Sequence, residues 1–183
     1  MAETYLKLED WSATKTKILA DNTLQARSAS SGRRMELELR NRLMLLTHPQ
    51  IQLAAHGMTD ERIAIAWLAA MKGSQFIFAF AADALRSKIS QLDPVLRPSD
   101  YEAFFTDQSA VSSKVAALTT SSRVKIRSTV FTMACDAGLG RRMRNELQLQ
   151  RPLIPTAVET AIIADSPQWL AGFLVPDEEK TFR

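Results

Sequence analysis

The stretch that most constrains this chain runs from Leu118 to Arg151, LTTSSRVKIRSTVFTMACDAGLGRRMRNELQLQR. It reads as a polar cap, one helix, a glycine stop and an arginine-rich segment. Side-chain oxygens from Thr119 to Ser122 suit the free N–H groups of a first helical turn. Ile126, Val130, Met133, Ala134 and Ala137 recur at three- and four-residue spacing, which gathers them on one face of a helix from Ser122 to Ala137. Gly138 closes it. Lys125, Ser128, Thr129, Thr132 and Asp136 then share the wet face, and Arg123 and Arg127 fall at the margin of the apolar stripe, in the first turns.

Charge gathers in the same place. Arg123, Lys125, Arg127, Arg141, Arg142, Arg144 and Arg151 stand against Asp136 and Glu146, so this stretch carries +5 while the chain as a whole carries +3. Clustering of this kind, more than net charge, marks a surface for a polyanion. Beyond the glycine comes a basic segment that alternates in part over Glu146, Leu147, Gln148, Leu149 and Gln150. A capped helix followed by glycine and a basic, partly alternating segment is the pattern of a recognition helix and wing: helix residues enter the major groove, and the basic segment meets phosphates. The candidate DNA contacts are therefore Arg123, Lys125, Arg127, Ser128, Arg141, Arg142 and Arg144. An ordinary amphipathic helix with a solvated charged edge would give the same pattern.

The rest of the chain reads as further helices. Glycine numbers six in 183 residues, and Ala, Leu, Arg and Met are plentiful, a mixture that favours helix. The fold class expected is mainly α, a multi-helix bundle with a helix-turn-helix or winged element near its C-terminal third. It forms one domain over 1–183, or two lobes, 1–95 and 96–183. Asp10 or Ser12 caps a helix to about Leu24. Ser28, Ser30 or Ser31 caps another from about Gly32 to Leu46, with Met35, Leu39, Leu43 and Leu46 as a buried stripe. Lys15 to Arg42 holds seven basic and three acidic residues, and Arg33, Arg34 and Arg40 form a second, weaker group of DNA contacts. The plainer reading pairs those arginines with Glu36 and Glu38.

Pro49 opens a short helix ending at Gly57. Thr59 begins one whose inner face is Ile63, Ala66, Trp67 and Ala70, and Ser74 caps a nearly all-apolar central helix. Ser99 and Glu102 form a capping box for a short helix that buries Tyr101, Phe104 and Phe105. A helix from Ser109 to Leu118 leads through a tight polar turn into the helix described first, as in a helix-turn-helix. Helices at Thr156–Ala164 and after Pro167 follow, and then a charged tail from Asp177.

Several kinds of chemistry find no support. Cys135 is the single cysteine, so no disulfide framework exists and a reducing compartment is expected. The N-terminus lacks a basic start before an apolar core. The longest apolar run, Phe76 to Leu85, is half of the roughly twenty residues that span a bilayer; the location expected is cytoplasmic. His48 and His56 lack the spacing of metal ligands. No phosphate-binding glycine loop and no nucleophile elbow occurs. The chain is expected to be no enzyme, with no metal, no cofactor and no small-molecule substrate.

An ordered set of segments resembles the BrxA family, small accessory proteins of BREX phage-defence systems. It comprises Asp10-Trp11, Asn22, Leu24, Gln25, Arg27, Ser28 and Arg34, then Trp67-Leu68, Phe76-Ile77 and Phe80-Ala81. Asp100-Tyr101, Phe104-Phe105, Ser122-Arg123, Lys125, Arg127, Phe131, Met133, Ala137-Gly138-Leu139 and Ile154 complete it. The resemblance implies a helical fold partly like the NusB antitermination factor, and double-stranded DNA binding without catalysis. Other BREX components are implied as partners; some members of the family are labelled inner-membrane proteins, and the hydropathy of this chain contradicts that label, so no membrane association is expected. The resemblance also implies a longer segment before the Asp10-Trp11 pair than this sequence has, and a second leucine where Gly140 stands. Two further readings stay open: a protein adaptor whose arginines serve acidic partners, and a NusB-like RNA-binding protein.

Overall fold

The computed structural model describes residues 1–176, which are mainly helical with one small sheet. The chain forms two compact units. Residues 1–73 and 155–165 make the first; the second holds 74–154 and resumes at Ser166. The boundary therefore falls where Ser74 caps a new helix.

In the first unit α1 (Ala2–Leu8), which sequence periodicity did not reveal, ends at left-handed Glu9 (φ 51). Asp10 then caps α2 (Trp11–Ala20), its carboxylate accepting from the Ala13 N–H at 2.8 Å. This helix stops short of Leu24 because Asn22 and Gln25 turn left-handed, and the Asn22 side chain holds the Ala26 N–H at 2.9 Å. Ser28 caps α3 (Ala29–Leu43).

The stripe expected on α3 is packed only towards its end, where Leu43 is half-buried and Leu46, just beyond the helix, is buried. Met35 and Leu39 are 40% and 37% exposed, whereas Gly32 and Glu36 are buried. Gly32 explains the rotation, for a Cβ there would already touch Ala26 at 3.4 Å, so α3 lies close against the preceding loop along its smallest residue. Burial of Glu36 is offset by Arg40, whose Nε donates to it at 2.7 Å.

The helices α4 (His48–His56) and α5 (Thr59–Gly73) fall where expected. The inner face of α5 is Ala64, Ile65, Trp67, Leu68 and Met71; Ile63 and Ala66 are exposed. The last helix of this unit, α11 (Thr156–Asp165), buries Val158 and Ile162. A polar clasp fixes it: Lys72 pairs with Asp165 at 2.6 Å and donates to the Leu45 carbonyl and Gln50 Oε1, both at 3.0 Å. Gln50 in turn donates to the Ala161 carbonyl at 3.0 Å.

The second unit begins with α6 (Gln75–Ala79), a π-helical segment (Phe80–Leu85) and α7 (Arg86–Ser90). Phe80, Ala81, Ala82 and Leu85 are all buried, so the wider turn sits in the core. After β1 (Val95–Leu96) comes α8 (Pro98–Val111), longer and earlier than expected. Asp100, not Glu102, caps it by accepting from the Arg97 N–H at 2.7 Å, and Pro98 occupies the first turn, where its missing N–H costs nothing. The chain breaks at Ser112, which caps the single turn α9 (Ser113–Ala116), so the helix expected from Ser109 is divided between α8 and α9. Thr119 caps α10 (Thr120–Asp136), and Gly138 reverses the chain at φ 75.

A hairpin of β2 (Gly140–Met143) and β3 (Glu146–Leu149) follows, and β1 pairs with β3 to give the antiparallel order β1-β3-β2. A 3-10 helix (Pro167–Phe173) carries Trp169 against Phe78, ring centroids 4.9 Å apart. The core is aromatic: Phe80, Tyr101, Phe104 and Phe131 lie within 6.3 Å of one another in successive pairs. Tyr101, Phe104 and Phe105 are thus packing residues, as expected. The charged tail from Asp177 lies outside the described residues.

Candidate nucleic-acid interface

The candidate interface comprises α10 and the hairpin that follows it. Val130, Phe131 and Ala134 anchor α10 in the core, which turns Lys125, Ser128, Thr129, Thr132 and Asp136 outward as the periodicity required. In β3, Leu147 and Leu149 face the core and Gln148 faces solvent. Through the register, Arg141 lies opposite Gln148 on the outer face, and Arg142 lies opposite Leu147 on the inner one.

Arg142 joins the two parts. Its guanidinium reaches over Phe131 at 5.8 Å and donates to the Ser128 carbonyl at 3.2 Å, so the first strand of the hairpin is pinned to the middle of α10. Gly140 allows the hairpin to close tightly. A Cβ there would stand 2.7 Å from the Gln148 carbonyl oxygen and 3.1 Å from Leu147. The position where the resemblance implied a leucine is thus one that a side chain would obstruct. At the tip Arg144 is left-handed (φ 53), exposed, and followed by exposed Asn145.

The expected contacts divide by what else they do. Lys125, Ser128, Arg141, Arg142 and Arg144 are exposed, and Lys125, Arg141 and Arg144 make no ion pair among the described residues. Arg123 and Arg127 are tethered to Glu102 of α8. Arg123 donates to one of its oxygens at 2.7 Å while stacking on Phe105 at 4.3 Å, and Arg127 lies 3.7 Å from the other. The Ser99–Glu102 spacing assigned Glu102 to a capping box, so this role was hidden. Beneath these groups Tyr101 is buried with no partner for its hydroxyl, and burial, with Glu102 adding to it, pushes its pKa up to about 12.

The second basic group is on α3, in the first unit. Arg33 and Arg34 are exposed, and Arg33 borders a cavity of about 460 Å³ together with Asn22, Arg27, Ser28 and Gly32. Arg40 differs from them, because its side chain is 21% exposed and engaged with Glu36. Arg42 pairs with Glu38 at 2.6 Å. Among the described residues no three His, Cys, Asp or Glu side chains come together as metal ligands, and no single helix is long and apolar enough to cross a membrane.

A protein-family model for BrxA matches residues 1–166. The chain belongs to the BrxA family. A curated relative, "BREX protein BrxA" of Bacillus cereus (strain H3081.97), is 23% identical over 140 residues, covering 76% of this chain and 70% of its own. This BrxA-family fold also resembles a crystal structure of an uncharacterized protein from Magnetospirillum magneticum. There the TM-score is 0.73 at 18% identity, over 86% of this chain and 80% of that one.

Proposed function

We propose that this BrxA-family chain is a non-enzymatic, double-stranded DNA-binding accessory protein of a BREX phage-defence system, acting inside the cell alongside other BREX components. The observation that carries the DNA reading is the pinning of an arginine-bearing hairpin to the exposed face of α10 through Arg142. The element order supports it: a helical segment, β1, α8, the single turn α9, α10, then β2 and β3, with β1 beside β3, is the connectivity of a winged helix with one added helical turn. In such a module Lys125 and Ser128 would approach base edges, while Arg141, Arg142 and Arg144 hold phosphates and set the register of the duplex. Arg123 and Arg127 lie at the start of the same helix. Arg33, Arg34 and Arg40 of the first unit form a subsidiary group, with Arg40 the least available.

The test is a salt titration of binding to a short labelled duplex. Replacing Arg141, Arg142 and Arg144 together by Ala is expected to weaken binding and to reduce the slope of log K against log salt by about 0.9 for each phosphate no longer neutralised. A folded triple variant with unchanged affinity and slope would remove the hairpin from the interface. Preferential displacement by structured RNA would turn the assignment toward RNA.

A protein-adaptor reading is favoured by one observation, the exposure of Met35, Leu37 and Leu39 along α3. Capture of a BREX component that persists after nuclease treatment, together with no DNA binding at about 100 mM salt, would select it; phosphate-led binding is still readily detected at that ionic strength.

A further inference from the structure

Glu102 belongs to α8 but faces the first turns of α10. Its carboxylate is not needed by its own helix, since Asp100 performs the cap. It holds Arg123 at 2.7 Å and stands 3.7 Å from Arg127. One turn further along α8, Phe105, itself buried, stacks beneath the Arg123 guanidinium at 4.3 Å. A carboxylate and a ring from one helix therefore fix an arginine of another. All three charged side chains remain between a third and a half exposed, so a duplex reaching this surface meets Glu102 as well as the arginines.

Resting on the DNA-binding reading, we propose that Glu102 is a specificity-determining residue, which competes with DNA phosphates for Arg123 and Arg127 and so suppresses sequence-independent binding. A half-exposed ion pair of this kind is weak enough to exchange partners. What replaces the carboxylate then matters. A phosphate must come close to Glu102 and is repelled by it. A guanine edge offers two acceptors to an arginine without a net charge, and meets no such repulsion. Glu102 therefore taxes phosphate contacts and leaves base contacts open.

The experiment compares wild type, Glu102→Gln and Glu102→Asp in salt titrations on a duplex of mixed sequence, with thermal midpoints to confirm folding. Glu102→Gln is expected to bind about tenfold tighter for each additional phosphate neutralised at about 0.1 M salt, with the salt slope steeper by about 0.9 per phosphate. Glu102→Asp keeps the charge and is expected to stay near wild type. Adding Arg123→Ala and Arg127→Ala to Glu102→Gln should abolish the gain.

Equal or weaker binding by Glu102→Gln overturns the proposal, and so does a gain that survives loss of both arginines. Wild-type binding with an unresponsive Glu102→Gln sinks this inference and leaves the DNA reading intact. Absence of binding by every variant at about 50 mM salt, where phosphate-led affinity is strong, sinks both.

Discussion

The hydroxyl of Tyr101 is buried among aromatic rings with no partner, a cost the fold tolerates at the centre of the second unit. Removing an unpaired buried polar atom relieves its desolvation penalty. Tyr101→Phe should therefore stabilise the protein by about 1 kcal/mol at neutral pH, read from urea unfolding. Alkaline conditions add a second difference. The folded-state pKa, about 12, is raised above the ordinary value of 10, so the stability held below pH 10 is lost as pH rises toward 12. The phenylalanine variant should lack that part of the alkaline loss. Wild type and variant with parallel profiles above pH 10 would show the hydroxyl to be hydrated.

Among the elements, the clasp around Lys72 holds α11 against α4 and α5. Lys72 is 7% exposed and Asp165 23%, and breaking a buried pair by deleting one partner costs about 3–5 kcal/mol. Lys72→Ala should approach that loss, because it strips Asp165, the Leu45 carbonyl and Gln50 of a donor at once. Asp165→Asn should cost less, since the ammonium keeps two acceptors; equal losses would contradict this division.

Elements were legible in the sequence where their ends carry their own signals. Caps and stops located α4, α5 and α10, and the wet face of α10 followed from its periodicity. The face of α3 did not, because Gly32 and the ion-paired Glu36, instead of leucines, form its packed side, and periodicity counts only apolar groups. The partial alternation after Gly138 was legible as a wing-like segment, within which β2 and β3 form. The tether of Arg142 to Ser128, the closeness allowed by Gly140 and the turning of Glu102 toward α10 depend on contacts between elements. No local pattern encodes them.

For the molecule as a whole, the path of the chain is decisive. The first unit is interrupted by the second and completed by residues 155–165, and the second is completed from Ser166 onward. A fragment ending at Gly73 would lack Val158 and Ile162, both fully buried. It should show no cooperative urea transition, whereas the full chain should. A sharp transition in the isolated fragment would mean that α11 is dispensable. The interruption also sets a timetable for synthesis, since a nascent domain folds as a unit once its residues have left the ribosome. Here neither unit is whole until translation has passed residue 154. The arginine-rich hairpin is therefore made while both cores are still open, and the protein can become competent to act only after the stretches that close them, residues 155–165 and those from Ser166 onward, have followed it.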